Sequence, residues 1–280
     1  MQSTAAIAAP PISTPPVIRA AMAGWRDLMH GAENWRLCYL LGAGEIRRRY
    51  ARSRLGQLWI MISSAIMVGS MGLVWSYLWK QPVRELLPYV AIGMMTWQLI
   101  MGIITESAVA IPTNSRYFHN QYISVSTVIY ALLYRNGVTF LLNLLFPLLM
   151  CVAFGVNIGP SAALSLVGLA LLGVASLWVA FVVALVCTRF RDIVQIVTSS
   201  LQIIFFLTPV VWRPEVLSPN AQAILQWNPF AVFISVVRDP LLGRPVSNVT
   251  WVEAFALSFG GLALALPFIG RFRRRLIYWL

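Results

Sequence analysis

The chain has 280 residues, of which 59% are apolar and 11% charged, and its mean hydropathy is +0.75. That balance excludes an ordinary soluble domain and makes a bilayer the main solvent. The formal charge of +12 rests on 20 Arg and one Lys, grouped beside apolar runs, a pattern that orients membrane helices and does not imply a nucleic-acid partner.

Residues 1–24 are rich in Ala and Pro, with Arg19 as the only charge and no apolar core ahead of a cleavage site. No signal peptide is expected, and a disordered cytoplasmic tail is expected over 1–33. Next, Trp35, Tyr39, Ile46 and Tyr50 follow helical spacing among Arg36, Arg47, Arg48 and Arg49. This predicts an amphipathic helix within 34–57, lying on the cytoplasmic membrane face.

A helix needs about 20 apolar residues to cross the hydrocarbon. Six stretches meet or approach that length, at 58–78, 88–111, 128–154, 162–187, 193–212 and 251–270, so a six-helix transmembrane domain is expected over 58–280. With both termini cytoplasmic, twelve Arg flank the inner ends: Arg47, Arg48, Arg49, Arg52, Arg54, Arg116, Arg189, Arg191, Arg271, Arg273, Arg274 and Arg275. Five basic residues, Lys80, Arg84, Arg213, Arg238 and Arg244, flank the outer ends, and the imbalance favours this orientation. Trp59, Trp75, Trp79, Trp212, Trp251 and Trp279 fall at or near helix ends, where an indole anchors in the headgroup layer.

The connection 213–250 carries two short helix signatures. Ser218 precedes Pro219 to Trp227, and Asn228 precedes Pro229 to Arg238, which Pro240 is expected to close. The second is too apolar for water and too short to span, so a re-entrant helix pair is expected, with Trp227, Asn228, Pro229, Phe230 and Arg238 at a periplasmic gate.

Little here points to catalysis. A phosphate-binding loop needs a Gly-Lys-Ser/Thr end, and the only lysine, Lys80, follows Trp79. His30 and His119 are far apart, and Cys38, Cys151 and Cys187 have no metal-ligand spacing, so no metal and no cofactor are expected. Glu106 and Arg135 are ionisable residues inside expected spans, and counting at about 1.5 Å per residue puts them at similar depth. They are expected to form an ion pair. Trp97, Trp178, Phe181, Phe205 and Phe206 are aromatic residues on the spans, candidates for lining a transport pathway or for packing helices.

The run Arg49-Tyr50-Ala-Arg-Ser53-Arg-Leu55-Gly56-Gln-Leu58-Trp59 resembles the entry to the first span of ABC-2 permeases that export polysaccharides of the O-antigen, capsule and teichoic acid types. Asn114, Arg191-Asp192-Ile193, Thr208-Pro209 and Asn228-Pro229-Phe230 with Arg238 extend the likeness from about residue 34 to the C-terminus. The first inner loop departs from it in lacking a Pro near Tyr122 to Val128. The resemblance implies a homodimer in the bacterial inner membrane, carrying two copies of a separate ATP-binding subunit and exporting a lipid-linked polysaccharide. Asn114, Arg116, Tyr117 and Phe118 in the first inner loop, with Arg189, Arg191 and Asp192 in the second, would then dock that ATPase. An ABC-2 permease for a drug or small lipid is the alternative, and an integral-membrane glycosyltransferase is a further one, although no Asp-x-Asp cluster is present.

Overall fold

A computed structural model describes residues 15–50, 56, 58–119, 123–156, 158–216, 218, 225 and 227–273. Helices account for nearly all of them: α1 Pro16–Glu33, α2 Trp35–Tyr50, α3 Leu58–Trp79, α4 Val83–Thr113, α5 Ser115–His119, α6 Val125–Ala153, α7 Leu164–Arg189, α8 Ile193–Leu207 and α9 Pro229–Leu241. The last hydrophobic stretch is α10 Asn248–Phe255, a π-helical turn Ala256–Gly260, and α11 Gly261–Phe272. The fold is all-α, and no strand occurs among the described residues.

Among the described residues, five segments are long and apolar enough to cross a membrane: Met61–Trp79, Val83–Thr113, Val125–Ala153, Pro160–Arg189 and Asn248–Phe272. The expected span 193–212 is instead the 15-residue α8. Its length is about 22 Å, short of the roughly 30 Å of hydrocarbon. Pro209 is the cause: it disfavours helical geometry in its predecessor, and Thr208 lies in the extended region at φ −103, ψ 137.

α4 is the hub, packed against α3, α6, α7, α8 and α9. Its first half, from Leu86 to Ile100, feeds a core cluster shared with α7 and α9. Its second half, from Ile103 to Ile111, feeds another, shared with α6, α7 and α11. The end of this body with Arg47, Arg48, Arg49, Arg116, Arg189, Arg191, Arg271 and Arg273 is the basic end; Lys80, Arg84, Arg213, Arg238 and Arg244 mark the far end.

Residues 16–33 are not a disordered tail. They form α1, which starts on Pro16 at the first helical position and buries Gly24, Asp27, Leu28 and Gly31. It crosses α11 so closely that a Cβ at Gly24 would overlap the Leu266 carbonyl and one at Gly270 the Ala20 carbonyl. Asp27 accepts from Arg273 and from Ser126 Oγ, both at 2.6 Å, tying α1 to α11 and α6. The Ala and Pro of the composition suggested disorder, yet Ala is the strongest helix former and the buried positions are small enough for close crossing. α2 occupies the expected interface-helix stretch and packs along α6.

Candidate functional site

At the basic end, four charges on three helices alternate in sign. Arg135, nearly three turns into α6, contacts Glu45 of α2 through Nη1 and donates to Glu106 Oε2 of α4 through Nη2 at 2.6 Å. Asn136 Nδ2 donates to the same oxygen at 2.6 Å, and Arg49 Nη2 reaches Glu106 Oε1 at 3.3 Å. The structure thus brings Glu106 and Arg135 together and adds Glu45, Asn136 and Arg49, of which the sequence marked only Arg49, as an inner-flank and entry-motif residue and not as a partner of Glu106. The only available signal was that Glu45 and Arg49 are spaced four apart on one helical face. Opposite charges in direct contact offset the cost of removing each from water, so the chain acts as a joint between α2 and the α4–α6 hairpin. A cavity of about 250 Å³ opens beside it, lined by Leu41, Glu45, Arg49, Glu106, Asn114 and Arg135. Nearby on α2, burial raises the Cys38 thiol above its usual range, which disfavours the reactive thiolate.

The expected docking residues divide. Asn114 caps the end of α4, its side-chain amide donating to Ala110 O at 2.8 Å. Arg116 is exposed on α5, and Arg189, Arg191 and Asp192 are exposed where α7 gives way to α8. Phe118 is different, at 6% exposure, because it fills the cluster built by Leu28, Val125 and Ile129. It offers no docking surface. The Tyr117 side chain lies outside the described residues.

The aromatic candidates divide as well. Trp97 is buried and meets Phe205 of α8 and Phe230 of α9, each at 5.6 Å between ring centroids. Phe205 continues this set to Phe206 at 5.3 Å, and Phe206 is exposed. Trp178 packs against Gly261 and, with Phe230, lines an apolar cavity of about 220 Å³ between α4, α7 and α9. Phe181 is fully enclosed by the basic-half core and lines no pathway.

Toward the far end, Asn228 caps α9 as its sequence suggests: its Oδ1 accepts from Phe230 N at 3.0 Å, and its Nδ2 donates to Thr208 Oγ1 at 3.0 Å. α9 runs antiparallel to α4, since Phe230 meets Trp97 and Arg238 meets Tyr89. Both residue pairs are separated by eight positions, about 12 Å of helix. A Cβ at Gly168 of α7 would overlap the Val236 carbonyl, so this glycine lets α9 sit deep in the body. Pro240 does not close α9, which continues to Leu241 and is followed by Gly243 at φ 68. Trp227 is exposed, and Pro229 takes the first helical position. Arg238, at 1% exposure, donates to Pro209 O at 2.7 Å and to Asp239 at 3.0 Å, with its guanidinium 3.7 Å from the Tyr89 centroid. The expected helix over 219–227 falls mostly outside the described residues.

Residues 36–242 match the family model described as ABC-2 type transporter. Two O-antigen export system permease proteins named RfbA, both from Klebsiella pneumoniae, are 19% and 22% identical to this chain. Each alignment covers 79% of this chain and 87% of the relative. A helical body with five segments among the described residues long and apolar enough to cross a membrane, entered through an Arg-rich helix and matched by that model over most of its length, leads to one assignment: the chain belongs to the ABC-2 type transporter family, as a membrane-embedded permease.

Proposed function

We propose that this permease exports a lipid-linked polysaccharide of O-antigen or capsule type across a bacterial inner membrane, as a homodimer driven by two copies of a separate ATP-binding subunit. The carrying observation is the likeness to two O-antigen export permeases along nearly the whole of their length. In this reading the basic end and both termini are cytoplasmic, as the Arg distribution favours. The exposed residues Arg116, Arg189, Arg191 and Asp192 meet the ATPase. Force passes through α5 and α2 to the joint at Arg135, which moves α2, α4 and α6 together. The line Trp97, Phe205, Phe206 offers aromatic faces suited to sugar rings. α9, with Asn228 and Arg238, narrows the outer mouth from within the membrane, and residues 58–280 make up the transmembrane domain.

The test is reconstitution of the chain with its ATPase in proteoliposomes, following a fluorescent lipid-linked oligosaccharide. ATP-dependent translocation supports the reading, and translocation of the lipid without regard to its glycan refutes it. A second reading, export of a drug or small lipid, draws on the apolar cavity beside Trp178, whose volume of about 220 Å³ suits a hydrocarbon chain and not a glycan. In the same assay that reading predicts transport of the lipid lacking sugar.

A further inference from the structure

At the far end, a cavity of about 470 Å³ lies between the start of α4, the segment after α8 and the end of α9. Three guanidinium groups gather on one buried ring: the Cζ atoms of Arg238, Arg244 and Arg213 lie 3.7, 5.4 and 5.5 Å from the Tyr89 centroid. Arg238 is committed to Asp239 and to the Pro209 carbonyl. Arg213 is not. Its Nη1 has only a long contact of 3.4 Å to the largely exposed Glu85, while its Nε and Nη2 are buried with no partner. Among the described residues no carboxylate pairs with Arg244. The wall also holds an unpartnered acceptor, Gln81 Oε1, buried like the two donors of Arg213.

Buried donors and acceptors without partners are costly, and arginines crowded on one ring repel one another unless an anion joins them. Two parallel guanidinium N–H groups match the two oxygens of a carboxylate or phosphate. A hydroxyl beside that oxyanion would supply what Gln81 Oε1 lacks. The geometry points to a binding site for a hydroxyl-bearing oxyanion, held by Arg213 and Arg244, with Tyr89 and Arg238 as its fixed floor and Gln81 accepting the hydroxyl. Three carboxylates share the field of these arginines, Asp239 in the cavity wall on Arg238, Glu215 exposed at the rim and the largely exposed Glu85 beside Arg213, and the ligand competes with the last two for Arg213 and Arg244. The chemistry fits an acidic sugar of a passing glycan and equally the headgroup of an anionic glycerophospholipid.

Phenylglyoxal modification of arginines, mapped by peptide mass spectrometry on the full chain in phosphatidylcholine nanodiscs, reads the site directly. Methyl glucuronide or inorganic phosphate at about twice its Kd should slow modification of Arg213 and Arg244 about threefold, while Arg116 at the opposite end reacts unchanged. Slowing by methyl glucuronide supports a glycan source. Slowing that appears only in nanodiscs containing phosphatidylglycerol supports a lipid headgroup. Arg244→Gln, a change at the partly exposed rim, should abolish the protection of Arg213. Equal protection by neutral methyl glucoside, protection by no probe, or full protection of Arg213 in R244Q would each overturn the proposal.

Discussion

At the basic end, Glu45, Arg135, Glu106 and Arg49 alternate in sign across three helices, whereas at the far end Arg213, Arg238 and Arg244 crowd a single Tyr89 ring. Both regions place guanidinium groups within an apolar body, yet the partners differ. Arg135 has a carboxylate on each terminal nitrogen, so its neighbours are held in one arrangement. Arg213 keeps two buried N–H groups without partners. Alternating charges therefore tie three helices together, and the unpartnered N–H groups of Arg213 are what the proposed oxyanion would satisfy.

The comparison can be broken first at Arg135. Arg135→Leu leaves Glu45 and Glu106 facing each other in a largely buried setting, and should cost about 3–5 kcal/mol, the range for removing one partner of a buried pair. Unfolding of the detergent-purified protein measures this, and a loss near zero would show that the contacts carry no joint. The next effect is at the α1–α11 crossing, where Gly270→Val forces a side chain into the Ala20 backbone. A cost of about 1–3 kcal/mol is expected for overpacking. The midpoint of thermal unfolding of the detergent-purified protein measures it, and an unchanged midpoint in G270V would show that the crossing is not close-packed. Asn228→Ala removes the α9 cap and should cost about 1 kcal/mol. Its checking measurement is faster amide exchange confined to Phe230 and Ala231, whose N–H groups the Asn228 side chain accepts. The smallest effect belongs to Arg49→Ala: this side chain is 56% exposed, so the change should cost no more than about 1 kcal/mol. A loss as large as that for Arg135→Leu would make Arg49, and not Arg135, the centre of the joint.

The ion pair was legible because α4 and α6 are antiparallel neighbours joined by a short connection, so equal depth could be counted from the helix ends. Glu45 and Arg49 were not, since the angle at which α2 leans on α6 depends on packing and leaves no periodic mark. Thr208-Pro209 did carry the signal that shortens α8, but the apolar run continuing through Val210, Val211 and Trp212 outweighed it. Those three residues follow the helix end, with Val210 and Val211 buried near α4. Phe118 and Phe181 show the limit of aromatic placement: each lies on an expected loop or span, and only tertiary packing decides that its ring points into the core. The far-end arginine cluster was hidden for a related reason. Tyr89 and Arg213 are distant in sequence from each other and from Arg238 and Arg244, and they meet because α9 runs back along α4.

Outward carriage of a lipid-linked polysaccharide, as proposed for this permease, can be read in cells from which the chain has been deleted. Lipid-linked polymer should accumulate on the cytoplasmic side while surface polymer disappears, and restoring the chain should reverse both. Undiminished surface polymer in the deleted cells, with no internal accumulation, would contradict the account.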